Sequence, residues 1–411
     1  MNNKFDKKLL FITVILLSFG VVMIYSATSI MCAKNSRIGD SSYYLKKELF
    51  RVAVGAIVMF AAAKIDYRKY KRLSWVFLGI TSILVVATAI PSIAGDAVKG
   101  ATRWIKIGNQ SLQPSEFAKI ALVIFLAEYL AKKAELLDDF WKGFAPAVAI
   151  VGFLVAFIVI QPNYGMAIAL TIVTVIMFFV AGVPMRFLAY IGLPTAGILA
   201  FGMAHSDHAR VRIVTFLQGG DPLGSGFQIN QSLIAIGTGG LIGKGIGNGV
   251  QKLFYVPEIH TDFIFAVIGE ELGFAGTIIV MALFLLFCWR GIKIAMRAPD
   301  RFGCNLAIGL VSMIFVYATL NVGVVLKLLP TTGIPLPFIS YGGSALVVTM
   351  ASCGILLNIS SHATVSMEKT ILLNDQNQIG SLNANDVRRR WNRRTLDPSI
   401  KYCSGTQVPP G

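Results

Sequence analysis

Charge is scarce in this chain of 411 residues: Asp, Glu, Lys and Arg make up 14% of it, against about 25% in soluble domains. Hydrophobic residues reach 55% before any glycine is counted, and the mean hydropathy is +0.68. That balance excludes a soluble globular protein, and with it disordered and collagen-like chains. The five cysteines (Cys32, Cys288, Cys304, Cys353 and Cys403) are odd in number and fall mostly in or beside apolar runs. They show no CxxC or Cys/His metal spacing, so neither a disulfide framework nor a structural zinc site is indicated. A net charge of +16 on a soluble protein would suggest nucleic acid. In so apolar a chain it raises a different question, where the cations lie relative to a bilayer, and no nucleic-acid partner is expected.

Long apolar runs are what the chain has instead. A helix needs about 20 apolar residues to cross a hydrocarbon core of about 30 Å. Runs of that kind occur at 9–31, 49–63, 73–94, 115–131, 144–161, 165–182, 187–204, 263–289, 304–326 and 344–361. They are continuous rather than alternating, which favours helices over a barrel. The expected fold is therefore all-α, a polytopic integral membrane protein with about ten transmembrane helices. The first run, behind Lys7-Lys8, exceeds the roughly 7 to 15 residues of a signal-peptide core and is expected to remain as a span.

Ten spans put both termini on one side. With the termini inside, the inner segments carry 23 Lys and Arg and the outer ones 13, which is the direction the positive-inside rule requires. Thirteen outer cations suggest an anionic ligand such as a phosphate or diphosphate, or contact with anionic lipid. Residues 1–361 form the membrane body, and 205–262 are its one long polar loop, placed outside. Residues 362–411 form a basic tail, expected to be disordered and cytoplasmic, with Arg388-Arg389-Arg390 and Arg393-Arg394 around Trp391. No internal repeat supports an inverted-repeat transporter.

Several stretches carry candidate chemistry. The long loop holds Gly237, Gly239, Gly240, Gly243, Gly245, Gly247 and Gly249, with Lys244 among them and Lys252 just after. Such a run lets backbone N–H groups approach an anion, or packs as a re-entrant turn; it matches neither a P-loop nor GxGxxG. Next comes His260-Thr261-Asp262-Phe263, ahead of an apolar run. Thr261 can cap that helix with Asp262 in its first turn. Alternatively, Asp262 at the membrane mouth, beside His260 and a basic loop, can act as a general base. Inside the runs lie Glu116, Lys119, Glu128, Glu270 and Glu271, positions where a charge is expected to face a partner or a polar cavity. Glu116 and Lys119 are spaced to pair on one helix face behind a start at Pro114 or Ser115. Adjacent Glu270 and Glu271 cannot share a face, so at least one must meet another helix or water. Leu329 to Ser344, with three prolines and abundant hydroxyls including Ser340, reads as an extended strip able to guide a lipid or polymer, or as a rigid loop.

Taken together, the motifs resemble the SEDS (shape, elongation, division and sporulation) family of bacterial peptidoglycan polymerases. The resemblance is carried by Arg103-Trp104 through Gln113-Pro114-Ser115-Glu116-Phe117-Ala118-Lys119, Gln161-Pro162-Asn163-Tyr164-Gly165, Arg212 to Phe216, the glycine run, Pro257 through Gly273, and Leu329 through Ser344. These stretches stand in family order across residues 9–361, and Thr261-Asp262-Phe263 followed by Ile268 to Gly273 looks more like the division branch than the elongation branch. Two departures stand out: Asn163 replaces the usual aspartate of a Gln-Pro-Asp motif, and Lys327 stands where a small residue is common.

The resemblance implies ten helices with both termini cytoplasmic in the bacterial inner membrane, at the division septum. It implies glycosyl transfer on lipid II and the nascent glycan, with Asp262 as catalytic base. Glu116 and Lys119 would line the functional cavity, and Arg103, Arg210, Arg212, Lys244, Lys252, His260 and Ser340 are further candidates for holding substrate. No protein metal site is expected; a divalent cation, Mg2+ or Mn2+, can assist at the diphosphate. A class B penicillin-binding transpeptidase and other division membrane proteins are the implied partners. A lipid II flippase and a non-catalytic division scaffold are the alternatives.

Overall fold

The computed structural model describes residues 5–34, 39–88, 103–107, 110–190, 192, 195, 197, 207–218, 226–251 and 260–380, with side chains as far as 363. The helices are α1 (Lys7–Lys34), α2 (Tyr43–Lys64), α3 (Tyr67–Ala87), α4 (Pro114–Lys132), α5 (Ala145–Ile160), α6 (Tyr164–Val180), α7 (Asp207–Gln218), α8 (Phe227–Gly239), α9 (Ile264–Met296), α10 (Arg301–Val325) and α11 (Gly343–Gly380). A π-helical turn, Phe140–Phe144, leads into α5. Helices α1 to α6 and α9 to α11 fall on nine of the ten expected spans; most of the remaining one, 187–204, lies outside the described residues.

Among the described residues, six helical stretches are long and apolar enough to cross a membrane: α1, α3, Phe140–Ile160, α9, α10 and Gly343–Ala363. Helices α2 and α4 miss that standard because of Lys46, Lys47, Glu48 and Arg51 in one, and Glu116, Lys119 and Glu128 in the other. Large side chains such as Phe11, Ile57, Ile83 and Phe274 point outward, as a lipid-facing surface requires and a soluble monomer avoids.

Four helical segments each begin behind an aspartate whose carboxylate accepts from first-turn N–H groups. Asp6 accepts from Leu9 N at 3.0 Å, Asp66 from Arg68 N at 2.9 Å, and Asp300 from Gly303 N at 2.8 Å. Asp139 accepts from Trp141 N and Lys142 N at 3.0 and 3.1 Å. Capping satisfies N–H groups that the helix leaves unpaired.

Three differences from the sequence reading matter. The long loop 205–262 contains helices α7 and α8, and α8 packs on α9. A hairpin, β1 (Ile105–Ile107) with β2 (Gln110–Leu112), precedes α4 in the register Ile105↔Leu112, Lys106↔Ser111 and Ile107↔Gln110. Helix α11 continues through Gly380, well past the expected boundary at 361, so the first part of the segment read as a disordered tail is helical; 381–411 lie outside the described residues. Cys32, Cys288 and Cys353 are free thiols.

Lipid tails are as apolar as leucine, so helices in a bilayer associate through close packing at small residues rather than by escaping water. The most extensive helix pair, α2 with α11, depends on this. A Cβ on Gly354 would lie 2.2 Å from the Met59 carbonyl oxygen, a backbone atom that cannot step aside. Gly354→Ala is therefore expected to destabilise the bundle by about 1–3 kcal/mol, the usual cost of overpacking. Thermal unfolding in detergent measures this, and a wild-type melting temperature would contradict the packing described.

Candidate active site

The helix after the long loop starts at Ile264, with Phe263 as its N-cap and no side-chain cap bond. Thr261 is thus not the cap, and Asp262 does not lie in the first helical turn; both belong to a half-buried turn just ahead of it. Without a capping bond, the turn is held from other parts of the chain. The Asn321 side chain of α10, 1% exposed, donates from Nδ2 to the Asp262 carbonyl at 2.8 Å and to the Ile334 carbonyl at 2.7 Å. The Tyr341 N–H donates to the His260 carbonyl at 2.9 Å. The 329–344 strip therefore runs along the aspartate's turn. Gly333 adopts φ 69° there, and a Cβ on it would stand 3.4 Å from Asp262 Oδ2.

Two guanidinium groups reach this place from distant segments. Arg103, ahead of the hairpin, donates through Nε to the Gln161 carbonyl at 2.8 Å and through an Nη to the Pro162 carbonyl at 2.5 Å. Arg212 of α7 donates to the Thr331 carbonyl at 3.3 Å. Burial pushes the Arg103 guanidinium down to about 10 and the nearby Arg212 charge adds to that, while Asp262 and Tyr164 act in the opposite direction. It stays cationic at neutral pH, and its charge interacts with both Arg212 and Asp262. Such a cluster presents a carboxylate for proton transfer and cations for a developing negative charge.

The other candidates divide. Glu116 and Lys119 form the expected i,i+3 pair at 2.5 Å, almost wholly buried, with Lys119 Nζ 4.3 Å from the centre of the Tyr317 ring. Pro114 starts that helix behind Gln113, whose N–H donates to Ser344 Oγ at 3.2 Å. Tyr317 and Asn321 are one turn apart on α10 and share a face, which links the buried pair to the aspartate's turn. The His260 ring lies 5.0 Å from Tyr44 and 5.4 Å from Tyr341, and the Arg51 guanidinium stands 4.0 Å over the Tyr341 ring. Arg210 is exposed and, two residues from Arg212, points to another side of α7.

Two further candidates make contacts within the chain. Ser340 is buried, and its hydroxyl accepts from Leu336 N at 2.8 Å, so it stiffens the strip from within. Lys244 pairs with Glu270 at 2.8 Å. The glycine run wraps this chain's own carboxylates: Val250 N and Gln251 N donate to Glu270 at 2.8 and 3.1 Å, and Gly247 N donates to Glu271 at 3.1 Å. Ser26 Oγ of α1 lies 2.7 and 2.6 Å from the two Glu271 oxygens. Both glutamates thus find partners, as their adjacency demanded, and the anion that the loop holds is internal. Lys252 lies outside the described residues. Asn163 is buried and faces Met166 Sδ at 3.8 Å. Among the described residues, no three His, Cys, Asp or Glu side chains form a cluster able to hold a metal. Sequence reasoning missed Asn321, Tyr44 and Arg51; an asparagine inside the apolar run 304–326 was the available signal for the first.

These features define a multi-pass helical membrane protein with an ionisable site at one mouth of the bundle. The chain belongs to the FtsW/RodA/SpoVE family, whose model, "Cell cycle protein", matches residues 7–365. It is 43% identical over 361 residues to a "Probable peptidoglycan glycosyltransferase FtsW" of Geobacter metallireducens, covering 88% of this chain and 96% of that one. It is 41% identical over 361 residues to Stage V sporulation protein E of Bacillus subtilis, covering 87% and 97%. Among solved structures, it resembles a chain of a peptidoglycan synthase complex of polymerization and crosslinking, with TM-score 0.71, 23% identity and coverage of 87% and 98%. RodA of Thermus thermophilus gives 0.63 at 24% identity, covering 87% and 96%. At those identities the likeness shows the fold.

Asn321→Ala leaves the Asp262 and Ile334 carbonyls without their shared donor. A loss of about 1–3 kcal/mol in stability is expected, the penalty for unsatisfied buried polar groups. Chemical denaturation in detergent measures it, and an unchanged midpoint would show that the turn does not depend on this amide.

Proposed function

We propose that this chain is a peptidoglycan glycosyltransferase that polymerises lipid II into glycan strands for septal cell-wall synthesis and releases undecaprenyl diphosphate. One observation supports the reading above the rest: Asp262, in a turn at the bundle mouth whose backbone carbonyl accepts from Asn321, lies near guanidinium groups brought in from two distant segments. Asp262 takes the proton of the acceptor sugar's 4-hydroxyl as that oxygen bonds to the anomeric carbon of the donor's muramyl sugar. The carbon–oxygen bond to the diphosphate breaks, and the leaving group departs with the electron pair. Arg103 and Arg212 face the charge that develops on it. An α-linked donor giving a β-linked glycan requires direct inversion, with no covalent sugar intermediate.

A divalent cation, Mg2+ or Mn2+, would bind mainly through the diphosphate oxygens and water, as Mg2+ does at other phosphate substrates. The same reading puts both termini in the cytoplasm of the bacterial inner membrane, with a class B penicillin-binding transpeptidase and other division proteins as partners. A flippase would use Glu116, Lys119, Glu128 and Glu270 as a polar path, but Glu116 and Lys119 close on one another and Glu270 closes on Lys244 and nearby backbone.

General-base catalysis contributes about 10²–10⁴-fold, so Asp262→Asn is expected to cut polymerisation of lipid II by at least about a hundredfold while the protein still elutes as a folded monodisperse species. Gel analysis of glycan chains from purified protein reads this. Wild-type chain formation by the variant would sink the assignment.

A further inference from the structure

On the side opposite the active site, the last turn of α4 and the starts of α3 and α10 enclose a cavity of about 690 Å3. This lies within the roughly 300–1,000 Å3 of small-molecule sites. Helix α3 lines it with Arg68, Lys71, Arg72 and Trp75, α4 with Glu128, Ala131 and Lys132, and the start of α10 with Asp300, Arg301 and Phe302. The positions on α3 are spaced i, i+3, i+4 and i+7, so one helical face delivers three cations and a tryptophan to the same wall.

The charges do not cancel. Five cations face two carboxylates, and Asp300 is already engaged, accepting from the Tyr67 hydroxyl and from Gly303 N, with Arg68 Nε at 3.7 Å. Among the described residues, Lys71, Arg72, Lys132 and Arg301 form no ion pair with a carboxylate. Glu128, 8% exposed, lies on α4 one turn before Lys132. Uncompensated cations brought together at a helix junction repel one another unless an anion joins them.

The walls also say what kind of anion. Ala131 and the buried Phe302 give the cavity an apolar part, and Trp75, packed edge-on against Phe125 with ring centres 4.8 Å apart, is 54% exposed on a membrane-crossing helix. Tryptophan at such a place sits at head-group level, and basic pockets between spans at that level suit phosphate head groups. We propose that this cavity binds the phosphodiester head group of an anionic phospholipid of the inner leaflet, with the lipid's glycerol and chains leaving along Trp75. The site shares no residue with the Asp262 cluster and does not depend on the reaction assigned there.

The test uses the full-length purified protein, incubated with an equimolar mixture of phosphatidylglycerol, cardiolipin and phosphatidylethanolamine. Native mass spectrometry then counts the lipid retained. Each cation lining the cavity is expected to contribute about a fivefold gain in affinity, the order of one basic residue beside an anionic lipid. Arg72→Gln with Arg301→Gln should therefore weaken retention of the anionic lipids roughly thirtyfold. Lys69→Gln with Lys133→Gln, which removes two inner-side cations outside the cavity, should leave it unchanged, and Glu128→Gln should raise it. Equal losses in the two double variants, or equal retention of phosphatidylethanolamine, would overturn the proposal. So would displacement of the lipid by millimolar inorganic phosphate, which would assign the cavity to a soluble phosphate instead.

Discussion

An ionised side chain inside a bilayer must be answered by another polar group, and much of this molecule is arranged around that requirement. Glu116 closes on Lys119 within one helix. Glu270 and Glu271 draw a glycine-rich loop down onto α9, where glycine lets backbone N–H groups come close enough to donate. Gly243 at φ 88° lies beside the Glu271 carbonyl, and a Cβ there would be 2.2 Å from that oxygen. Glu271 also engages Ser26 through both its oxygens, so helix α1 is tied to the loop through one hydroxyl. Glu116, Glu270 and Glu271 are thus each answered by a partner from within the chain.

The mouth is built on irregular backbone, and irregular backbone near a membrane needs donors for its carbonyls. Arg103 donates to Gln161 and Pro162, Arg212 to Thr331, and Asn321 to Asp262 and Ile334. The bonds that satisfy these segments also position the guanidinium groups around the aspartate. The cations proposed to hold a departing diphosphate thus also fix the loops beside it.

Much of the fold was legible in the sequence, because continuous apolar runs of the right length have few other uses. The limits lay where charge interrupts the pattern. Helix α2 begins at Tyr43 rather than 49 because Lys46, Lys47, Glu48 and Arg51 mask its outer turns. The three-residue strands of the hairpin are too short for periodicity to register. In the site, the Glu116 and Lys119 pair followed from i,i+3 spacing alone. The pairing of Lys244 did not, since this loop residue's partner lies 26 residues away on α9, and Ser26 is separated from Glu271 by 245 residues. Asp262 was legible as a candidate base, but its apparent capping geometry was misleading. The helix starts two residues later, with its turn held by an asparagine from a different span.

In the proposed reaction, Asp262, Arg103 and Arg212 converge on the reacting diphosphate-linked sugar. A cryo-EM structure of the protein with a non-reactive lipid II analogue tests it most directly. The expected density places diphosphate oxygens within about 3 Å of both guanidinium groups and a sugar hydroxyl facing the Asp262 carboxylate. An analogue seated elsewhere, with that carboxylate remote from every sugar atom, would contradict it.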